Sequence, residues 1–584
     1  MKYKVFHKMI AAMLVGSMTA AMLTGCSDAQ TGTDTSEVQS TASTEQAAAD
    51  KKAADDSASE EVSEEPAFDP RSITEGVTLT IATKEHARIT DWNELETTKK
   101  IEEDLGVNLE FVSYPSADYE SKLNVMVMSG EELPDIIFNP GNGYTSWISE
   151  GVLLPLTDYY NNPDFAVNIN DASERTETNI AQYMTQTDGN IYAIPNWSHD
   201  PGAEVSQKFW LYQPWLDQLG VEMPQTTEEY YELCKLVAAT DLNGNGKNDE
   251  VCLTASGISG WFDFLMTPYV YAHDSLFRVV ENGQVSFAYT TEEWKEGLKY
   301  IKKFFDEGLI PLETLTQNWD QYTAICFAET PTLLTFCGWC YEGADPQRRS
   351  EYNYLVALEG PTGRKVSHYQ PSTPGVGAVI TTDCENPDAA FLVLDYLCSE
   401  EAGLTSRYGK RGTDWDYWED VTLENKDDYG PTFEGYDISI LAQYPDAEVN
   451  FWSDTNPQTS SYMHIGPLIR DKYSNIARAI NRNPATESEK LALFNEDLTS
   501  ESIMEAENYR PAEVYDYGPL SVEETEATAD IAATLKTYVN ESISAFLSGT
   551  KDIDADWDAY LTELENIGYK EMLEVYQTAY DRVH

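Results

Sequence analysis

The chain has 584 residues, 38 of them basic and 100 acidic, for a net charge of −62 at pH 7. Hydrophobic residues make up 41%, with 13 Trp, 36 Tyr and 19 Phe, enough for two or more lobes with real cores. Nucleic acid is excluded as a partner, because phosphate binding needs a basic footprint. Polyanions are disfavoured at long range, although salt screens that field within about 8 Å and a local basic pocket would override it.

Residues 1–25 read as a signal peptide. Lys2, Lys4 and Lys8 form a positive start, and Met9 to Leu23 is an apolar run too short for a bilayer span of about 20 residues. It ends in "LTGC", which resembles a bacterial lipobox with Cys26 as the lipidated residue; the alternative is an ordinary secretory signal. Two acyl chains on one Cys would anchor the protein stably to a membrane. Residues 26–74, rich in Ser, Thr, Ala, Asp and Glu, lack the apolar side chains needed to offset ordering entropy and read as a flexible acidic tether. The expected location is the extracytoplasmic face of the cell membrane.

From Glu75 the pattern changes. "VTLTIA" alternates Val77, Leu79 and Ile81, as a half-buried strand does. "NELETTKKIEEDLGV" predicts a helix closing near Gly106, and "VNLEFVSYP" a second strand. "YESKLNVMVMSGEELPDIIF" predicts a helix, a breaker and a short strand at 135–138; "EGVLLPLTDYY" follows as a turn and short helix. Strands alternating with helices point to a parallel α/β layer. After the helix of "TTEEYYELCKLVAAT" comes "DLNGNGKNDE", residues 241–250. Asp241, Asn243 and Asn245 stand at positions 1, 3 and 5 of a calcium-loop pattern with Gly246 at the sharp turn, but position twelve holds Cys252 rather than Glu. An Asn/Gly-rich surface turn would have the same composition. Cys337 and Cys340 form a CxxC without the flanking helix of a redox site or the second CxxC of a zinc ribbon; a local disulfide and two free thiols both remain open. At the C-terminus, Trp557, Tyr560, Leu561 and Leu564, then Met572, Leu573, Tyr576 and Tyr580, recur at helical spacing and predict two docking helices separated at Gly568.

The order of "LTIA", "IEEDLGVNLEF", "SGEELPDIIF" and "GVLLPLTDYY" resembles the extracellular solute-binding proteins (family 1) of bacterial ABC sugar importers. The large oligosaccharide- and alginate-binding branch is nearest. "IYAIPNW", "WLYQPWLDQLGVEMPQTTEEYYELCK", "CFAETPTLLTFCGWCYEGA" and "NPDAAFLVLDYLCSEE" continue the likeness. It implies a periplasmic-binding-protein-like fold of two α/β lobes joined by a hinge. One lobe would span 75–197 and 374–415, the other 198–373 and 416–584. It implies a monomer that grips an oligosaccharide in the inter-lobe cleft and delivers it to permease subunits served by a separate ATPase. It also implies that Asp249 and Glu250 complete a structural Ca²⁺ shell with Asp241, Asn243, Asn245 and the Lys247 carbonyl.

A sugar presents an apolar C–H face to aromatic rings and a hydroxyl rim to polar groups. Candidates from loops after strands and at crossovers are Trp92, Asn93, Tyr144, Trp197, Trp261, Trp339, Arg411, Trp415 and Trp418. The last two stand where relatives line the cleft, in a local sequence that departs from the usual Gly-Glu-Gly pattern. No HExxH, GxSxG or Walker A string occurs, so the chain is expected not to be an enzyme. A surface glycan-degrading enzyme and a peptide-binding or adhesive lipoprotein are the alternatives.

Overall fold

The computed structural model describes residues 68–271, 276–338, 348–445, 447, 456–471, 477–516 and 520–584. Cys26, the signal segment, the tether up to residue 67, Trp339 and Cys340 lie outside the described residues.

Alternation places the first strands. Leu79 and Ile81 of β1 (Thr78–Lys84) and Leu109 and Phe111 of β2 (Asn108–Tyr114) point into one core. Between them, α1 (Glu96–Leu105) turns Ile101 and Leu105 inward and stops at Gly106, whose φ of 70° is the left-handed cap. β3 (Ile136–Phe138) and β4 (Ile194–Ser198) complete the first pass. The chain then crosses to a second sheet. It lays down β5 (Lys208–Tyr212), α2 (Thr227–Ala238), β6 (Val251–Leu253), α3 (Glu292–Asp306), β7 (Leu333–Gly338) and β8 (Tyr352–Leu355). It returns for β9 (Gly375–Ile380), α4 (Pro387–Leu397) and α5 (Glu400–Tyr408), and later for β10 (Leu468–Arg470). It ends in α6 (Val522–Leu547), α7 (Trp557–Ile567) and α8 (Tyr569–Asp581).

The first sheet has the order β10-β4-β9-β3-β1-β2. β1 is parallel to β2 and β3, β10 is parallel to β4, and β9 runs antiparallel to both β3 and β4. Five strands therefore share one direction, and their carboxyl ends share one edge. The second sheet has the order β8-β5-β7-β6, with β5 antiparallel to both neighbours. Each sheet has its own core, one around Ile81, Phe138, Phe391 and Tyr462, the other around Phe209, Trp210, Trp261 and Phe304. Trp557, Tyr560, Leu564, Met572 and Tyr576 of α7 and α8 join the second core, as their spacing predicts.

One boundary differs from expectation. Residues 416–584 do not stay with the second lobe. β10 pairs with β4, and Tyr462 packs against Trp92, Phe111 and Phe138 in the first core. β10 covers the outer edge of β4, which would otherwise present unpaired backbone groups. Two small ladders flank this return, Asp416–Tyr417 with Ile440–Leu441 and Tyr429–Pro431 with Ala479–Asn481. Among the described residues no helix is long and apolar enough to cross a membrane.

Candidate functional site

Open α/β sheets bind ligands at the carboxyl ends of their parallel strands. Here that edge carries the loops after β1, β2, β3, β4 and β10. At one end, the loop after β1 and the end of β2 enclose a cavity of about 470 Å³ lined by His86, Asp91, Trp92, Asn93, Phe111 and Ser113, among others. Trp92 and Phe111 stack with centroids 5.6 Å apart. Asn93 is fixed by accepting the Phe111 N–H at 2.8 Å and donating to Asp91. Burial, together with Arg88 and Lys84, lowers the pKa of His86. The result is an apolar floor with a polar rim. After β3, Tyr144 opens a short helix and accepts a hydrogen bond from Gln186 at 2.7 Å.

At the other end of the edge, β4 runs into the first crossover. Trp197 is buried; its indole N–H donates to Ser372 Oγ at 2.9 Å and its ring stacks on His199. The Ser372 hydroxyl donates in turn to the Ser198 carbonyl at 3.1 Å. Glu204, itself buried, accepts from the Tyr369 hydroxyl and the Ser372 N–H, each at 3.3 Å, and lies 3.2 Å from His199 Nε2. The Glu204 carbonyl accepts the Gln370 N–H at 2.7 Å. Trp197 and Glu204 thus fasten the outgoing crossover to the returning one.

Other expected ligand contacts fall elsewhere. Trp261 is 0% exposed in the second core, its indole N–H on the Gly257 carbonyl. Trp415 is also 0% exposed, bonded to the Gly409 carbonyl. Neither presents a ring face to a ligand, because each is buried as a large apolar filler of its cluster. Arg411 is clamped by Glu401, Asp416 and Asp420 at 2.8–3.1 Å, so each of its guanidinium nitrogens is engaged. Trp418 is half-buried under Lys426, whose Nζ stands 4.5 Å from a ring centroid. The sequence reading passed over His86, Glu204, Arg407 and Arg470. Scanning every residue that follows a predicted strand would have found His86; the others depend on tertiary placement.

The 241–250 loop joins α2 to β6 and is bracketed by a Cys234–Cys252 disulfide. Position twelve is therefore a bridge rather than a ligand. Cys337 is unbridged, as are Cys326, Cys384 and Cys398. The loop is closed by its own side chains. Asp241 accepts the Asn245 and Gly246 N–H groups, and Asp249 accepts both the Asn243 and Asn245 amides. The Lys247 N–H goes to Asn245 Oδ1 at 2.8 Å. Glu250 is 4% exposed; Oε1 takes the Leu242 and Asn243 N–H groups, while Oε2 is buried with no hydrogen-bond partner among the described residues. Among those residues no group of three or more His, Cys, Asp or Glu side chains converges to hold a metal.

The sequence model for bacterial extracellular solute-binding proteins matches residues 96–413. FusA, a fructooligosaccharide ABC transporter substrate-binding protein of Streptococcus pneumoniae serotype 4, is 25% identical over 512 residues, covering 84% of this chain and 88% of that one. An extracellular solute-binding protein of Bifidobacterium longum subsp. infantis shares the fold with a TM-score of 0.68 at 19% identity, over 87% of this chain and 98% of that one. The FusA EF-hand mutant in complex with fructo-nystose gives a TM-score of 0.61 at 24% identity, over 86% and 99%. These likenesses establish the two-lobe α/β fold, and the relatives are binding proteins rather than enzymes. The sequence match covers more than half of the chain and takes in both crossovers and the 241–250 loop; of the cavity lining it includes Phe111 and Ser113, while His86 to Asn93 precede it. The chain belongs to the family of bacterial extracellular solute-binding proteins.

Proposed function

We propose that this chain is the substrate-binding subunit of an ABC importer, and that it captures an oligosaccharide along the carboxyl edge of the first sheet. The observation that carries this reading is the cavity of about 470 Å³, with the buried Trp92–Phe111 stack as its apolar floor and Asp91, Asn93, His86 and Ser113 for a sugar's hydroxyls. Four strand spacings separate β1 from β10, about 19 Å at ~4.8 Å each, a path suited to a chain of sugars rather than one. The second lobe closes over that path by rotation about the fastened crossovers. The ligand passes unchanged to permease subunits powered by a separate ATPase. The protein acts as a monomer, held at the extracytoplasmic face by lipid on Cys26. A glycan array with a reducing-end release assay tests the reading. Binding without release is expected; release of new reducing ends refutes it.

The 241–250 loop is proposed as a structural Ca²⁺ site with ligands Asp241, Asn243, Asn245, the Lys247 carbonyl, Asp249 and Glu250. Its donors are hard oxygens, as calcium requires, and the orphaned Glu250 Oε2 is an acceptor in want of a partner. The fold neighbour whose name includes an EF-hand mutant supports the same reading. Calcium would offset the charge of Asp241, Asp249 and Glu250, which this structure does not draw together, while Glu250 keeps the start of the loop tied through its two N–H bonds. Titration calorimetry on chelator-treated protein should show heat and a rise in Tm with Ca²⁺; absence of both rejects the site.

A further inference from the structure

The edge strand of the first sheet ends in a charge that the fold leaves largely unanswered. Arg470 closes β10 and is 4% exposed. Its Nη2 donates to the Ser198 hydroxyl at the end of β4, but Nε and Nη1 are buried without hydrogen-bond partners among the described residues. Buried donors are normally paired, and a buried guanidinium more strictly so than most.

A second arginine is brought to the same place. Gly403 of α5 approaches β10 so closely that a Cβ there would fall 2.5 Å from the Ile469 carbonyl oxygen. One turn later on the same helix face stands Arg407, with Nη1 3.1 Å from His464 Nε2. Burial and the adjacent Arg470 push Arg407 down to about 10, and burial with both arginines holds His464 near 3, so the imidazole is neutral. Arg478 also bears on this group. Of the acids within reach, Asp471 is paired with Arg175 at 2.7 Å and Glu496 with Arg478 at 2.7 Å; Asp200, which accepts the Gly202 N–H at 2.9 Å, acts on Arg470 and Arg407 through space. In a chain with 100 carboxylates, a buried arginine with two N–H groups left without hydrogen-bond partners among the described residues does not follow from composition. It stands at the carboxyl edge, where the chain leaves for the second lobe.

Resting on the oligosaccharide reading above, we propose that Arg470, with Arg407 beside it, receives an anionic substituent of the ligand, a carboxylate, sulfate or phosphate carried on a sugar. Arginine is the side chain best matched to such groups, and a dry site strengthens the contact. The long-range field of the protein opposes an acidic ligand, but over the Debye length of about 8 Å the local cations prevail. Arg470 is a binding residue in this account, and its unpaired N–H groups are the vacancy the anion fills.

The full chain is tested on an array of neutral, uronate-bearing, sulfated and phosphorylated oligosaccharides. Hits are then titrated by calorimetry against wild type, Arg470→Gln and Arg470→Lys. Acidic glycans should bind, with affinity about 10- to 100-fold weaker in Arg470→Gln and only partly kept in Arg470→Lys, which restores the charge but not the Nε and Nη1 donors. The ligand-free Tm of Arg470→Gln should equal or exceed that of wild type, because a buried unpaired charge has been removed. The acid class that binds best separates carboxylate from sulfate and phosphate. Binding confined to neutral glycans overturns this proposal and leaves the oligosaccharide reading standing. Binding of no glycan overturns both. Equal affinity in Arg470→Gln, or a lower ligand-free Tm, assigns Arg470 a purely structural role and also overturns it.

Discussion

Removing the Cys234–Cys252 bridge should lower the melting temperature of the second lobe alone. The bridge closes 18 residues between α2 and β6, with both sulfurs in the second core. Loop-closure entropy for that length amounts to about 3 kcal/mol withheld from the unfolded state. Unfolding entropy of ~2.1 cal/mol/K per residue gives ~0.6 kcal/mol/K for a lobe of roughly 300 residues, so Tm should fall by about 5 °C. Alanine is the better replacement at both positions, because a serine hydroxyl would be buried without a partner. Scanning calorimetry of wild type and Cys234→Ala/Cys252→Ala, each with and without reductant, makes the comparison. The first lobe's transition is the internal control. Reductant should move wild type onto the variant and leave the variant unmoved, since the other described cysteines are unbridged. A second-lobe Tm within about 1 °C of wild type would refute the entropic reasoning.

Three further outcomes follow from buried polar groups and close approaches. Asp395 is buried on α4, where it accepts the Asn168 and Ile169 N–H groups, yet burial lifts its carboxyl to about 6. The folded pKa exceeds the unfolded one, so its contribution to stability is full below the ordinary carboxylate range and is lost as pH rises through about 6. The urea-melt difference between wild type and Asp395→Asn should therefore favour wild type by roughly 1 kcal/mol more at pH 5 than at pH 7; a pH-independent difference contradicts this. Gly403→Ala would drive a Cβ into the Ile469 carbonyl, so a loss of about 1–3 kcal/mol by denaturant titration is expected, and an unchanged midpoint disproves the tight contact. Glu204→Ala leaves the Tyr369 hydroxyl and the Ser372 N–H without their shared acceptor, at a cost of about 1–3 kcal/mol each; a stability change under 0.5 kcal/mol would show that Glu204 does not hold the crossovers together.

The parts of the fold visible in the sequence are those with a period. β1, α1, β2 and β3 follow from alternation and from Gly106, and α7 and α8 from their aromatic spacing. β10 could not be read this way, because three residues flanked by Gly466, Pro467 and Asp471 carry no period, and only the vacant edge of β4 explains their pairing. The disulfide was hidden for another reason: connectivity among cysteines is not a sequence property, and the local CxxC drew attention from a partner 18 residues away. Among the ligand candidates, Trp92 and Asn93 reached the cavity because they follow a strand at its carboxyl end. Trp261 and Trp415 did not, because a large ring fills a core as readily as it faces a cleft. Arg411 and Arg470 are alike in sequence. What separates them is whether acids surround the guanidinium, and that is settled only by the fold.

The late return of β10 has a consequence for how the protein comes into being. The first sheet cannot be completed until about 470 residues have been synthesised, more than 270 of them after β4 has already emerged. Pairings so distant in sequence form slowly. A nascent or truncated chain ending before Leu468 would carry β4 as a bare edge, open to strand addition from other copies. Maturation of this protein is thus governed by its last third, and a chaperone that shields the β4 edge would guard its most exposed moment.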